Sequence, residues 1–189
     1  MAKLYYFTST MNAGKTTQLL QFNYNCIKKN INTLTFISTL KNKKNCIRSR
    51  VGLKNLAIPI NNKINIYKYI EKYKHMTKYI FIDEVQFLTK KQIYEIITIV
   101  DKLKINVITY GLKTDFKLKL FTASKYLISL SDKIFEIEAL CKCGKKAIAN
   151  ARINKFGKKI TQGKQINLNK KIYIPTCRYH YFNFIDKKK

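Results

Sequence analysis

Apolar residues in this chain fall into short runs separated by longer amphipathic stretches. Residues 4–8 (Leu-Tyr-Tyr-Phe-Thr), 33–38, 56–60, 79–82, 106–110 and 133–137 are brief runs rich in Ile, Val, Thr, Tyr and Phe, the signature of buried strands. Between them the apolar positions return at helical spacing. Leu19, Leu20, Cys26 and Ile27 share one face over 17–29, and similar periods predict helices over 66–73, 90–103 and 121–130. Residues 41–50 are polar without a period and read as a loop, and Gly111 reads as a turn closing the strand before it. Strands alternating with helices predict an α/β fold, a parallel sheet with helices on both faces. Beyond about Glu138 the helical period is lost and Cys, Gly and turn signals increase. We therefore divide the chain into 1–138, a small second unit at 139–182, and a basic tail at 183–189.

Composition adds little to this picture, and charge adds less than its size suggests. Of 189 residues, 46% are hydrophobic, enough for a sizeable core. No apolar run reaches the ~18–20 residues needed to span a bilayer. The N-terminal stretch lacks a signal peptide's apolar segment and cleavage site, so the expectation is a cytoplasmic protein without a membrane partner. The net charge is +28 from 38 basic and 10 acidic residues. Only Arg48, Arg50, Arg152 and Arg178 are arginines; the rest is lysine spread along the chain beside abundant Ile and Asn. A specific nucleic-acid reader concentrates Arg on one face for bidentate contacts. The excess is therefore read as compositional drift, with specific nucleic-acid binding not expected.

Two motifs carry chemistry. Ser9-Thr10-Met11-Asn12-Ala13-Gly14-Lys15-Thr16 follows an apolar strand and opens a helix, and it fits a phosphate loop with Ser in place of the first Gly. In such a loop backbone N–H groups cradle the phosphates, Lys15 reaches the terminal ones and the Thr16 hydroxyl meets Mg²⁺. The bland alternative is a Gly-Lys-Thr turn without a nucleotide. The second motif is Asp83-Glu84 at the end of an apolar strand. In P-loop enzymes an Asp there orients Mg²⁺, and the neighbouring carboxylate can face a second substrate as a base. The alternative is a capping pair for the helix that begins at Lys90.

Cys141-x-Cys143 and Cys177-x-x-His180 form two ligand pairs, the number and type that Zn²⁺ binds tetrahedrally. The other reading is packed cysteines beside an incidental histidine. His75, Cys26 and Cys46 are read as bystanders.

The phosphate loop with its preceding Phe7-Thr8, the block 82–88 (Ile-Asp-Glu-Val-Gln-Phe-Leu), the block 110–116 (Tyr-Gly-Leu-Lys-Thr-Asp-Phe) and the Cys141…His180 cluster occur in that order. Together they resemble the type II (cellular-type) thymidine kinase family in its bacterial form, over nearly the whole chain. The resemblance implies a P-loop, RecA-like sheet and a zinc ribbon carrying a lasso loop over the nucleoside. It implies transfer of the ATP γ-phosphoryl group to the 5′-hydroxyl of thymidine, with Mg²⁺ and a structural Zn²⁺. It further implies Glu84 as general base and ATP contacts from residues 9–16, Asp83 and Gln86. Met11, Phe87, Leu112, Phe121 and Tyr173 match positions lining the base. Family members are usually homotetramers inhibited by dTTP.

Two stretches depart from the family pattern. An acidic-x-Arg is common in the loop after the second strand; here 41–44 reads Lys-Asn-Lys-Lys, leaving Lys43 as an imperfect substitute. The lasso's Gly-Gly turn is replaced by Leu168-Asn169-Lys170-Lys171. Two rival functions share parts of the pattern: a DNA-acting P-loop ATPase, and a zinc-stabilised nucleotide-binding module without catalysis. The 110–116 block speaks against the first, and the intact Lys15, Thr16, Asp83 and Glu84 speak against the second.

Overall fold

The computed structural model describes residues 1–39, 45–166 and 172–184. Its centre is a six-stranded parallel sheet. The strands are β1 (Leu4–Ser9), β2 (Thr33–Ser38), β5 (Ile58–Ile60), β6 (Tyr79–Asp83), β7 (Asn106–Leu112) and β8 (Lys133–Glu136), in the order β5-β2-β6-β7-β1-β8. The helices are α1 (Lys15–Lys28), α2 (Ile66–Glu71), α3 (Lys90–Thr98) and α4 (Thr122–Leu130). Strand alternation sends neighbouring side chains to opposite faces. Ile80 and Ile82 enter one core with Tyr6, Val107, Ile93 and Leu127, while Phe81 enters the other with Leu19, Leu20, Ile108 and Tyr110. Near-continuous apolar strands are thus explained by two covered faces.

The structure departs from the expectations in four places. Gly111 does not turn the chain; it is paired with Thr8 inside β7, which continues to Leu112. A Cβ on Gly111 would lie 2.6 Å from Gln86 Oε1 and 2.7 Å from Val85 Cγ1, so the glycine serves a close approach. The single strand expected over 56–60 is two: β4 (Lys54–Leu56) and β5. β4 pairs antiparallel with β3 (Cys46–Arg48), inside the stretch expected to be loop. The helix expected over 90–103 is regular only to Thr98 and then widens into a π-type turn over Ile99–Leu103.

The C-terminal part is a two-stranded antiparallel ribbon, β9 (Ala149–Ile153) with β10 (Ile172–Thr176), followed by the short helix α5 (Arg178–Phe182). It is fastened to the sheet's loops at several points. The Tyr181 hydroxyl donates to the Phe116 carbonyl, and the Arg152 guanidinium lies 3.6 Å above the Phe116 ring. The Met11 N–H donates to Asn150 Oδ1 at 2.8 Å.

Candidate active site

The site sits at the carboxyl ends of β1, β6 and β7, where an open parallel sheet forms its crevice. Residues 9–16 leave β1 and wrap into α1. Asn12 at φ 64° and Gly14 at φ 83° supply the left-handed backbone the loop needs. Lys15 opens α1 and is buried, its Nζ donating to Ser9 Oγ and the Thr10 carbonyl, both at 2.8 Å. Burial pushes the Lys15 ammonium down; Glu84 and Asp83 pull it back up, and the charge of Arg50 adds to the fall.

Asp83 closes β6 and is buried. Thr16 Oγ1 donates to its Oδ2 at 2.9 Å, and the Glu84 N–H donates to its Oδ1 at 2.9 Å. Burial, and next the charge of Glu84, push its carboxyl up to about 7 against the pull of Thr16, the Glu84 N–H and Lys15. A carboxylate held in this way beside a threonine hydroxyl suits a divalent cation with oxygen ligands. Helix α3 is capped by Thr89 with Gln92, so Asp83 and Glu84 are not its capping pair.

Glu84 leaves the strand at φ 55°, a left-handed conformation unusual for a non-glycine residue. It is half-buried and lines the same cleft of about 320 Å³ as Met11 and Lys15. Gln86 fixes its carboxylate: Nε2 donates to Glu84 Oε2 at 2.6 Å, while Gln86 Oε1 accepts from the Leu112 N–H at 3.1 Å. Gly111 allows that reach. Gly111→Ala is therefore expected to lower stability by about 1–3 kcal/mol, the usual cost of overpacking, and to lower turnover as Gln86 is displaced. Thermal melting and a turnover assay check this, and unchanged values for both would contradict it.

Next to the cleft is a smaller cavity of about 90 Å³. It gathers Met11, Phe87, Leu112, Phe121 and Tyr173, all five residues expected around a base. Phe87 and Phe121 meet edge to face with centroids 6.2 Å apart. Thr114, Asp115 and Phe116, from the 110–116 block, complete the lining with Asn150, Gln165 and Ile166, which no sequence motif singled out. A larger cavity, about 690 Å³, lies elsewhere, between α1, β2 and the β3–β4 hairpin, and among the described residues it is lined by no titratable side chain.

A family model described as thymidine kinase matches residues 2–181. The chain belongs to the thymidine kinase family. It is 40% identical over 187 residues to a thymidine kinase of Legionella pneumophila (strain Philadelphia 1), covering 96% of this chain and 90% of that one. It is 40% identical over 186 residues to one of Haemophilus influenzae (strain Rd), covering 96% of both. With a thymidine kinase of Mesorhizobium japonicum it shares 38% over 185 residues, covering 96% and 91%.

The four C-terminal metal-ligand candidates converge. The donor atoms of Cys141, Cys143, Cys177 and His180 all lie within 4.8 Å of one another. Cys141 Sγ and Cys177 Sγ are 3.2 and 3.5 Å from His180 Nδ1, and Cys143 Sγ is 3.9 Å from Cys177 Sγ. Tetrahedral zinc with its usual bond lengths sets S–N near ~3.5 Å and S–S near ~3.8 Å. The cluster fits a metal of that type. Burial alone would push the Cys141 thiol up, but hydrogen bonding from the Cys177 and Cys143 backbone, His180 and Cys177 brings it down to about 6. His75 is exposed, Cys26 is packed in the core and Cys46 is half-buried in β3, all outside this cluster. Lys43 and residues 168–171, expected to form the lasso's turn, lie outside the described residues.

Proposed function

We propose that the chain transfers the γ-phosphoryl group of ATP to the 5′-hydroxyl of thymidine, giving dTMP and ADP. The observation that carries this reading is the adjacency of the two hollows: Met11 and Leu112 line both the phosphate-loop cleft and the aromatic cavity. A group held in one is beside a group held in the other, as direct transfer requires.

In this reading residues 9–16 hold the ATP phosphates, with Lys15 on the terminal ones. Thr16 and Asp83 would hold Mg²⁺, which would supply positive charge to neutralise the phosphates. Glu84 accepts the proton as the 5′-oxygen forms its bond to the γ-phosphorus and the bond to the ADP oxygen breaks. Gln86 positions Glu84. Met11, Phe87, Leu112, Phe121 and Tyr173 enclose the base. Cys141, Cys143, Cys177 and His180 would hold a Zn²⁺ whose role would be structural, since four protein ligands would fill its usual sites. The units 1–138 and 139–182 act as the kinase body and the ribbon with its lasso. On family resemblance alone, we extend the reading to a homotetramer working in the cytoplasm. Among the described residues, no helix is long and apolar enough to cross a membrane.

The test is a panel of nucleosides with Mg·ATP, scored for 5′-monophosphate. Thymidine, and deoxyuridine with it, should be phosphorylated and purine nucleosides should not. Efficient phosphorylation of deoxyadenosine or deoxyguanosine would remove the substrate assignment. ATP hydrolysis that depends on DNA would replace it with the DNA-acting alternative.

A further inference from the structure

The phosphate-loop cleft poses an electrostatic problem that the residues named so far do not solve. Lys15 brings one positive charge and Glu84 a negative one, while Asp83, its carboxyl pushed up to about 7, brings part of a second. A triphosphate entering that set finds no net attraction before any cation accompanies it. In transfer, charge also spreads onto the γ-phosphoryl oxygens, which needs fixed donors aimed at them.

The missing charge comes from the β3–β4 hairpin. Along residues 47–50 burial alternates strictly: Ile47 and Ser49 are buried, Arg48 and Arg50 are exposed. β3 ends at Arg48 and Arg50 lies in the turn that follows, and the run Arg48 to Val51 lines the phosphate-loop cleft together with Asn12 to Thr16 and Glu84. The hairpin is a firm support. Ile47 packs in the core with Leu19, Leu20 and Phe81. The Ser49 N–H donates to the Leu53 carbonyl at 2.8 Å, and Ser49 Oγ accepts from the Leu53 N–H at 3.1 Å. Gly52 at φ 91° makes the tight return. Arg50 is also near enough to Lys15 to disfavour its charge, so its own charge acts inside the cleft.

We propose that Arg50, with Arg48 beside it, is the guanidinium clamp of this site. It holds the β- and γ-phosphates opposite Lys15 and stabilises charge on the phosphoryl group in transfer. With the two arginines the set becomes three cations against two carboxylates. The planar fork of a guanidinium can grip two phosphate oxygens at once, which a lysine ammonium cannot. The clamp also supplies the charge for which Lys43 was the only sequence candidate. The inference rests on the kinase reading for its step, but not for its binding arm.

The experiment compares the parent with Arg50→Gln, Arg50→Lys and the double variant Arg48→Gln/Arg50→Gln. Melting temperature, Mg·ATP and AMP affinity, and kcat and KM for each substrate are measured. Arg50→Gln should lower kcat/KM for ATP by about 10²-fold, the usual loss when one fixed donor is removed. The melting temperature and the KM for thymidine should stay near the parent values. Affinity for Mg·ATP should fall while that for AMP does not, because AMP lacks the phosphates the clamp grips. Arg50→Lys should recover only part of the loss, and the double variant should lose more than Arg50→Gln. If Arg50→Gln keeps kcat/KM and Mg·ATP affinity within threefold of the parent, the clamp assignment is overturned. Equal weakening of ATP and AMP overturns it as well. A parent protein that makes no dTMP defeats the kinase reading instead, and the comparison of ATP with AMP still decides the clamp.

Discussion

Replacing Glu84 with glutamine should lower kcat by about 10²–10⁴, the range for a lost general base, while ATP and thymidine still bind. Glutamine keeps the length and can present its carbonyl oxygen to Gln86 Nε2, which now donates to Glu84 Oε2 at 2.6 Å. It cannot take the proton that leaves the 5′-hydroxyl. Binding should survive because Lys15 keeps its contacts with Ser9 and Thr10, and the aromatic cavity is untouched. Single-turnover kinetics separate this from slow product release. A variant with near-parent single-turnover rates would show that another group takes the proton.

Cys177→Ser should cost the protein its metal and, with it, the grip on the nucleoside. Structural zinc of this ligand type contributes on the order of 10 kcal/mol of apparent binding free energy to small domains. The ribbon's own core is small: Ala149, Ala151 and Tyr181, with Leu118 and Phe184 packed against them. A core of that size does not hold a fold without a staple. The effect should reach the substrate because α5 carries both His180 and Tyr181, and Tyr181 bonds the Phe116 carbonyl beside the aromatic cavity. Arg152 holds the other side, donating to the Gln162 and Lys164 carbonyls at 2.8 and 3.3 Å. Metal analysis of parent protein purified without chelator should find one zinc per chain. In the variant the metal should be lost and the KM for thymidine should rise about tenfold or more, against a smaller change for ATP. A parent without zinc, together with a variant of unchanged KM, would return the cysteines to simple packing.

Much of this architecture was legible from residue order, because its signals are local. The apolar runs of β1, β2, β6 and β7 and the glycine and lysine of the phosphate loop each declare themselves within a few neighbours. What escaped is long-range. Gly111 reads locally as a turn, yet its role is set by Gln86, a residue 25 positions earlier that must pass over the strand. The strands β3 and β4 have three residues each, too short to show a period, so Arg48 looked like a loop residue and Arg50, in the turn between them, gave no local sign of facing the cleft. Arg152, which no motif singled out, is among the most deeply buried side chains, stacked on Phe116 with its two terminal nitrogens donating to backbone carbonyls. Asn150 and Gln165 joined the cavity wall without any motif to announce them.

The backbone of Glu84 places this site in tension with the stability of the fold. At φ 55° a glycine would sit without penalty, whereas a residue with a side chain gives up roughly 1 kcal/mol or more. The carboxylate also crowds Asp83, raising the cost of that buried charge. Selection for thermal endurance alone would remove Glu84. Thermostabilising mutagenesis that screens only for folded protein will therefore favour its loss, and a library built on this scaffold retains the chemistry only if activity is scored in the same round.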